Sequence, residues 1–125
     1  MSEIKISEGQ LKRAVEDYLT IKQNQGKLMF RRLNSGGAYL PNGKGGFYKI
    51  QLCEKGTADY EVQYWGHQIF EGRHYILPFT AFLELKSPTG KQSKEQKEFQ
   101  KLVESFGCEY LIVRDVETLI EKWGN

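Results

Sequence analysis

The sequence contains no run of roughly 18 apolar residues, the length that a membrane-spanning helix needs. Its first ten residues, MSEIKISEGQ, also lack the apolar core of a secretory signal. We therefore expect a cytoplasmic protein with no membrane partner.

Cysteine is scarce as well. Cys53 and Cys108 are the two cysteines, and neither stands in a CxxC or Cys/His pattern. A structural zinc site needs such ligand spacing, so the sequence argues against one. We expect both thiols to be reduced and to lie in or near the core.

An excess of charge of one sign is also missing, because 18 Lys and Arg residues against 16 Asp and Glu residues give a formal net charge of +2. Such a balance does not by itself indicate a nucleic-acid partner. The distribution is uneven, however: no acid occurs between Lys27 and Lys49, which enclose Arg31, Arg32 and Lys44. This stretch is either a surface that follows a polyanion backbone or a solvated hairpin with basic residues.

Common catalytic patterns are absent. The glycine-rich segment GGAYLPNGKGG is not a phosphate-binding loop, because Ala38 stands where that motif has glycine and Gly45 where it has Ser or Thr. No GxSxG motif occurs. His67 and His74 have no Cys or carboxylate partner at a suitable spacing, so we expect them to be structural or exposed.

At 125 residues, with 39% hydrophobic and 27% charged residues, the chain is long enough for one domain, residues 1–125, around a single core. Hydrophobic periodicity predicts an α/β fold in which helices pack on a mixed sheet. The predicted order is a helix (Ser7 to about Gln25), two strands that pair as a hairpin (about 27–33 and 46–53), a strand (58–65), a small hairpin around Gly66 and Gly72, a strand (79–86), a helix capped by Ser93, a strand (108–115) and a final helix (about 116–123).

Two packing predictions concern the C-terminal half. The second helix should bury a stripe formed by Phe99, Leu102, Val103 and Phe106. The strand 108–115 is nearly continuously apolar, which predicts that it is covered on both faces.

An acid and a lysine share one face of the 79–86 strand. Residues two apart on a strand point to the same side, so Glu84 and Lys86 project together while Leu83 and Leu85 point the other way. If a Glu and a Lys two residues apart stood alone in a sequence, an exposed ion pair on the strand would explain them. This pair, however, ends a strand just before the break SPTG, and functional groups are often found at such positions.

A second acid can join this pair. The turn GTAD brings Asp59 to the start of the 58–65 strand, and antiparallel pairing with the 79–86 strand would bring Asp59 close to Glu84 and Lys86. Carboxylates are hard ligands for Mg²⁺, which neutralises phosphate charge, and an ammonium can position water or stabilise pentacovalent oxygens. The three residues therefore suit metal-assisted phosphodiester cleavage.

Two more polar residues lie near predicted buried stripes. Glu8 falls on or near the apolar stripe of the first helix, where it serves either the helix dipole or the same site. Gln96 completes a capping box with Ser93, and it could also hold the lysine or the metal-bound water.

Taken in order, these motifs resemble the virus-type replication-repair nuclease (VRR-NUC) domain of the PD-(D/E)xK nuclease superfamily. The resemblance rests on an acid in the first helix (Glu8), GTAD (Asp59), ELK (Glu84 and Lys86), SPTGKQSKEQ (Gln96) and GCEYLIVRD. It covers about residues 8–115, and the ordered set is more specific than any single motif. It implies a restriction-endonuclease-like core with a helix, three to five strands, a helix, a strand and a helix.

The resemblance also implies residue roles. Asp59, Glu84 and the backbone carbonyl of Leu85 would bind Mg²⁺ or Mn²⁺, and Glu8 would reach the metal through water. Lys86 would orient or activate the attacking water, and Gln96 would support the site. The implied catalytic set is Asp59, Glu84, Lys86, Glu8 and Gln96, and the candidate DNA-binding set is Arg31, Arg32, Asn34, Lys44, Lys49 and Lys91.

Stand-alone members of this family resemble structure-selective endonucleases, including homodimeric Holliday-junction resolvases. The implied function is a metal-dependent endonuclease that acts on branched DNA as a homodimer, in the cytoplasm of a bacterium or a phage-infected host. The alternatives are a nuclease for DNA ends or flaps and an inactive DNA-binding protein of the same fold. The separation of Asp59 and Glu84 exceeds our expectation for the family, so the Gly66–Phe79 segment is interpreted as an insertion that carries dimer contacts or contacts DNA.

Overall fold

The computed structural model describes residues 6–33, 37–51 and 53–125. Within these ranges the chain has three helices and six strands, in the order α1 (Glu8–Asn24), β1 (Leu28–Arg32), β2 (Gly37–Pro41), β3 (Phe47–Gln51), β4 (Tyr60–Phe70), β5 (Arg73–Leu85), α2 (Lys94–Ser105), β6 (Glu109–Val113) and α3 (Glu117–Trp123). Four strands form a mixed sheet in the order β1-β4-β5-β6, in which β5 and β6 are parallel and the other neighbours antiparallel. The predicted mixed α/β architecture is confirmed at this level.

Helix α1 begins where the sequence predicts. The Ser7 hydroxyl accepts a hydrogen bond from the Gln10 N–H, and the Gln10 side chain accepts one from the Ser7 N–H. This capping box satisfies donors that would otherwise lack partners at the helix start. Leu11, Val15 and Leu19 recur at helical spacing and are fully buried, so one apolar stripe packs α1 into the core.

The inner face of the sheet supplies the rest of the core. Tyr60 and Val62 of β4 are fully buried, opposite Leu83 and Ala81 of β5, which confirms the alternation predicted for residues 58–65. Full burial of one large apolar side chain stabilises the fold by about 1.5–3 kcal/mol. This packed layer fixes the backbone from which Glu84 projects in the opposite direction.

The predicted hairpin between residues 27–33 and 46–53 is wrong. Strand β1 pairs antiparallel with β4, with Leu28 opposite Tyr64 and Arg32 opposite Tyr60, while β3 pairs with β2. Strand β2 lies inside the stretch that the sequence presents as a turn. The short loop at Asn42 closes β2 and β3 into a local hairpin, because Asn42 Oδ1 accepts hydrogen bonds from two backbone N–H groups of the loop.

The hairpin predicted around Gly66 and Gly72 is present, with its turn at Gly72, but its strands are not separate from the strands on either side. Strands β4 and β5 form one long hairpin that runs without a break to its turn, with Phe70 opposite Arg73. The two turn residues, Glu71 and Gly72, both have positive φ, as a tight hairpin turn requires.

Helix α2 covers the opposite face of the sheet. The Phe99 ring meets the Phe82 ring edge-on, with 5.2 Å between centroids, and Val103 is buried. Leu102 and Phe106 are 57% and 81% exposed, so their predicted burial is wrong. The helix is covered only along its Phe99 and Val103 side, and its other apolar side chains face outward.

Strand β6 is the last strand of the sheet. Val113 is fully buried and the other four residues are half-buried, so the predicted burial on both faces is wrong. An edge strand has one neighbour, here β5, which leaves its outer side less covered. At the start of β6, Glu109 accepts hydrogen bonds from the Tyr64 hydroxyl and the Lys122 ammonium, which joins β6 to β4 and α3.

No helix in the described ranges combines the length and the apolar character needed to cross a membrane.

Candidate active site

Asp59 lies directly before β4, where the backbone is held on both sides. Its N–H donates to the Leu83 carbonyl at 2.9 Å, and its carbonyl accepts from the Leu33 N–H at 2.8 Å. Its Oδ2 atom accepts a 2.7 Å hydrogen bond from the Leu85 N–H. These contacts hold the carboxylate in one orientation, at the end of β5.

Glu84 lies on β5 and is only 3% exposed. Its Oε1 accepts a hydrogen bond from Gln96 Nε2 and lies 3.7 Å from Lys86 Nζ. Its Oε2 is buried and has no hydrogen-bond partner in the described part of the chain. Leaving a buried polar atom unsatisfied costs about 1–3 kcal/mol, so this oxygen is available to a cation.

Lys86 follows β5 on a constrained segment. Its N–H donates to the Val113 carbonyl at 3.0 Å, which extends the parallel pairing past the end of the strand. The guanidinium of Arg114 donates through Nη1 to the carbonyls of Ser87 and Gly90, at 2.6 and 2.9 Å, and closes the loop that follows. The Lys86 side chain is 14% exposed, so its ammonium is held in the site instead of extending into solvent.

Gln96 has both of the roles that the sequence left open. Its Oε1 accepts a hydrogen bond from the Ser93 N–H, and its backbone N–H donates one to the Ser93 hydroxyl, which caps α2. Its Nε2 donates to Glu84. A glutamate at this position would preserve the cap but could not donate to the carboxylate. The amide therefore couples the start of α2 to the site.

Burial raises the pKa of both carboxylates. For Glu84 burial is the largest cause and the charge of Asp59 adds to it, while Lys86 and Gln96 oppose the rise; its pKa is about 7. The pKa of Asp59 is raised by burial and further by Glu8, against the Leu85 N–H and the Lys86 ammonium. A buried and a half-buried acid that line one cavity favour either a shared proton or a bound cation.

All these groups line one cavity of about 350 Å³. Its walls include Glu8, Gly9, Lys12, Asp59, Glu84, Leu85, Lys86 and Gln96. The structure therefore brings together every residue of the predicted catalytic and metal-binding sets.

Glu8 reaches this cavity from the first turn of α1, but it is exposed. The sequence predicts Glu8 on or near the apolar stripe of α1; it lies one turn before the first buried residue of that stripe, Leu11. Sequence reasoning missed Lys12, which also lines the cavity and opposes the rise in the pKa of Asp59. Its spacing of four residues from Glu8, on the same helix face, was the available signal.

A larger cleft, of about 510 Å³, lies beside β1 and β4. Its walls carry Phe30, Trp65 and Pro78, and its one carboxylate is Glu61. It lacks a second acid to share a cation, so the smaller cavity is the candidate site for metal-dependent chemistry.

The donor set of the smaller cavity fits a hard divalent cation. No group of three or more His, Cys, Asp or Glu side chains surrounds one position among the described residues. Asp59 and Glu84 nevertheless offer two carboxylates, one with a free buried oxygen. The N–H of Leu85 points at Asp59, and the carbonyl of a strand residue points to the same side as its N–H. Carboxylate, carbonyl and water oxygens are the ligands of Mg²⁺ and Mn²⁺.

The predicted DNA-binding residues are spread over several elements. Asn34 lies outside the described residues. The other five are exposed: Arg31, Arg32, Lys44, Lys49 and Lys91.

The two arginines have acidic neighbours in space that the sequence did not reveal. Arg31 stands opposite Glu61 in the pairing of β1 with β4, and Arg32 Nη1 lies 3.9 Å from Glu16 Oε1. Glu16 is itself half-buried and accepts a 2.6 Å hydrogen bond from the Tyr60 hydroxyl. Within the acid-free stretch, the positive charges without a described acidic neighbour therefore lie mainly in the β2–β3 hairpin.

Comparison with known proteins gives no relative: no family model, no curated protein and no solved structure matches this chain. The candidate site therefore rests on its own geometry and chemistry.

Proposed function

We propose that the chain is a metal-dependent endonuclease that hydrolyses DNA phosphodiester bonds at Asp59, Glu84 and Lys86. The observation that carries this proposal is the buried Oε2 of Glu84, which has no hydrogen-bond partner among the described residues and lies in a cavity with Asp59 and Lys86. A protein that only binds DNA has no need for two such acids, because they would repel phosphate unless a cation lay between them.

The proposal extends to the fold family. Helix α1, a mixed sheet with acids on neighbouring strands, and helix α2 behind them are compatible with a PD-(D/E)xK core of the VRR-NUC type. DNA, as opposed to RNA, follows from that resemblance. The expected compartment is the cytoplasm of a bacterium or of a phage-infected cell.

The metal would be held by Asp59, by Oε2 of Glu84 and by the Leu85 carbonyl, with Glu8 acting through water. Bound Mg²⁺ or Mn²⁺ supplies charge neutralisation at the phosphate and acidifies water. One oxygen of each carboxylate is already fixed by the protein, through the Leu85 N–H and the Gln96 amide. These two donors orient the acids before substrate arrives, which reduces reorganisation during the reaction.

Lys86 has a role that the carboxylates cannot fill. Its ammonium faces the same cavity and is the nearest cation to Glu84. It orients the attacking water and stabilises negative charge that develops on the phosphate oxygens. Lys12, across the cavity, adds positive charge on the side of α1.

The proposed substrate is branched DNA and the proposed assembly a homodimer, because a two-fold enzyme can cut both strands of a two-fold junction. The distal half of the β4–β5 hairpin, residues 65–78, is named the arm. One Glu and one Arg give the arm a formal net charge of zero with neutral histidines, which favours protein contacts over phosphate contacts.

The arm exposes large apolar side chains on both of its faces. Those that are 40–67% exposed include Trp65, Ile69, Phe70, Tyr75, Ile76 and Leu77. The strand register puts Trp65, Ile69 and Ile76 on one face and the other three on the opposite face, so one face offers roughly half of the 800 Å² that each partner buries in a standard interface. The proposed contact with a second copy of the chain is the Trp65 face.

The test uses labelled four-way junctions, flaps, linear duplex and single strands, with Mg²⁺, Mn²⁺ or EDTA. Glu84→Ala removes the proposed ligand, and Glu61→Ala is the matched control, an acid on β4 outside the cavity. We expect paired symmetric nicks on junctions that disappear with EDTA and in Glu84→Ala but persist in Glu61→Ala.

Other outcomes separate the alternatives. Metal-dependent cleavage of flaps or ends would support the proposed hydrolysis but show that branched junctions are not the substrate. Binding without metal-dependent cleavage of any substrate would show a DNA-binding protein with an inactive site. Full cleavage by Asp59→Ala, with clean protein and Mg²⁺, would rule out the proposed metal site.

A further inference from the structure

The β2–β3 hairpin exposes aromatic rings that the core does not use. Its strands pair with each other and with no strand of the main sheet in the described ranges. Tyr39 and Phe47 are 69% and 70% exposed, more than most rings in a folded protein. Two rings this exposed on one small element require a partner or carry a cost in solubility.

The register places these two rings on one face. Tyr39 pairs with Lys49, and Pro41 pairs with Phe47. Side chains two apart on a strand share a face, so Tyr39, Phe47 and Lys49 point to one side while Tyr48 points to the other.

The spacing of the rings fits an inserted base. Tyr39 and Phe47 are diagonal neighbours in the ladder, and such positions lie about 7–8 Å apart. Stacked bases are about 3.4 Å apart, so a base between two rings needs about twice that distance. The diagonal therefore leaves room for one base between the rings, or for one base on each ring.

The positive charge of the hairpin indicates an anionic ligand. Residues 37–51 contain two lysines and no Asp or Glu. Lys44, in the loop, and Lys49, beside Tyr39, are both exposed. Aromatic rings flanked by lysines are typical of proteins that hold unpaired nucleic acid, where rings stack on bases and lysines contact phosphates. The arm, with no net charge, lacks the second of these features.

We propose that the hairpin is a binding site for unpaired nucleotides, in which Tyr39 and Phe47 stack on bases and Lys44 and Lys49 contact the phosphates. The inference rests on the proposed function, which supplies nucleic acid as the ligand, and it specifies the substrate class: DNA with a single-stranded stretch next to the cut site. Bases inside a duplex are stacked on each other and cannot present their faces to a ring.

The chain connects this hairpin to the candidate active site. Leu33, just before it, donates its backbone N–H to the carbonyl of Asp59. After β3 the chain returns through residues 53–58 to the same Asp59. Both connections of the hairpin thus meet the backbone at Asp59, so the proposal has the unpaired strand enter the cavity from the hairpin.

The experiment measures binding in EDTA, where cleavage plays no part. Fluorescence anisotropy would compare a labelled thymidine oligonucleotide with a blunt duplex of equal length, for the wild type, Tyr39→Ala, Phe47→Ala and the double variant. Tyr48→Ala is the matched control, because it removes a half-exposed ring from the opposite face of the same hairpin. Thermal unfolding would verify that each variant is folded.

Stacking on one base is worth about a 5- to 150-fold change in affinity on alanine substitution. We expect each single variant to weaken single-strand binding within this range and the double variant to weaken it more, with Tyr48→Ala and duplex binding within about twofold of wild type. Quenching of a 2-aminopurine base in the wild type, lost in the double variant, would identify stacking directly.

Three results would overturn the inference. An equal loss of single-strand affinity in Tyr48→Ala would show an effect on the fold of the hairpin. An equal loss of duplex affinity in the Tyr39 and Phe47 variants would show a general phosphate-binding surface. A change of oligomeric state in Tyr39→Ala would show a protein interface. Failure of the nuclease proposal is distinguishable, because an absence of cleavage in Mg²⁺ leaves the EDTA binding result unaffected.

Discussion

Gln96 donates a hydrogen bond from Nε2 to Oε1 of Glu84, while its own Oε1 accepts one from the backbone at the start of α2. A single amide thus caps a helix and holds a buried carboxylate. One oxygen of Glu84 is consequently occupied by a protein donor, and the other stays without a hydrogen bond among the described residues.

The first prediction concerns this amide. Gln96→Glu preserves the capping geometry but replaces the donor to Glu84 with a fourth carboxylate in the cavity. We expect the metal-free protein to lose about 1–3 kcal/mol of unfolding free energy at pH 8, since a buried acceptor loses its donor and gains a like charge. Urea denaturation in EDTA measures this loss.

The chain contains its own control for Gln96→Glu. Gln10 occupies the same capping position in α1, paired with Ser7 in the same way. Gln10→Glu should change stability by less than about 0.5 kcal/mol, as exposed substitutions usually do. Equal losses in both variants would mean that the cap, and not the contact with Glu84, accounts for the effect.

The second prediction is a pH dependence of stability without metal. The folded-state pKa of Glu84 is about 7, above its ordinary value of 4.5, so the folded chain binds this proton more tightly than the unfolded chain. The contribution of Glu84 to stability is then highest below pH 4.5, falls as pH rises to about 7 and is level above it. A pKa shift of this size corresponds to a loss of unfolding free energy on the order of 3 kcal/mol between these two pH values.

Glu84→Gln should remove this dependence, because a neutral amide does not titrate. The variant should match wild type near pH 4 and exceed it at pH 8 in EDTA, as measured by urea denaturation at both values. Mg²⁺ should then stabilise wild type at pH 8 by mass action and leave Glu84→Gln nearly unchanged. A wild type whose stability rises between pH 4.5 and 7 relative to Glu84→Gln would contradict this pKa.

The local features of this fold were predictable because they depend on short-range chemistry. Ser7 and Ser93 cap helices with glutamines three residues later, and Tyr60 alternates with polar neighbours, as the sequence indicates. The approach of Asp59 to Glu84 was predictable too, since it required only that the segments 58–65 and 79–86 pair antiparallel.

Long-range choices were not predictable in the same way. The partner of β1 depends on whether β4 or β3 offers the better buried face, and no local signal decides between them. The exposure of Leu102 and Phe106 has a similar origin: periodicity identifies an apolar stripe, but the length of helix that the sheet covers depends on the whole fold.

The third prediction separates chemistry from binding. Lys86→Ala should lower the cleavage rate by on the order of 10² or more, because the ammonium stabilises charge that develops in the transition state. DNA affinity in EDTA should change little, since one lysine among several contributes modestly to phosphate binding. Single-turnover cleavage and anisotropy measure the two quantities. Lys97→Ala, an exposed lysine on α2, is the control and should leave both unchanged.

The fourth prediction tests the arm as a dimer contact. Ile69 and Gln68 are neighbours on β4 that point to opposite faces, and Ile69 is 64% exposed. Ile69→Asp should raise the dimer dissociation constant by at least about tenfold, because association would bury an unpaired carboxylate. Gln68→Asp adds the same charge to the other face and should have a smaller effect. Analytical ultracentrifugation measures both, and a wild type that is monomeric at its highest soluble concentration would exclude the homodimer.

The same variant connects assembly to cleavage. If two active sites act on one junction, Ile69→Asp should convert paired nicks into single nicks at the same metal requirement, because Ile69 lies outside the cavity of Asp59 and Glu84. A supercoiled cruciform plasmid distinguishes the outcomes, since paired nicks give linear product and single nicks give open circles. Unchanged linear product from a monomeric variant would show that one subunit cuts both strands, and the two-fold argument for branched DNA would fail.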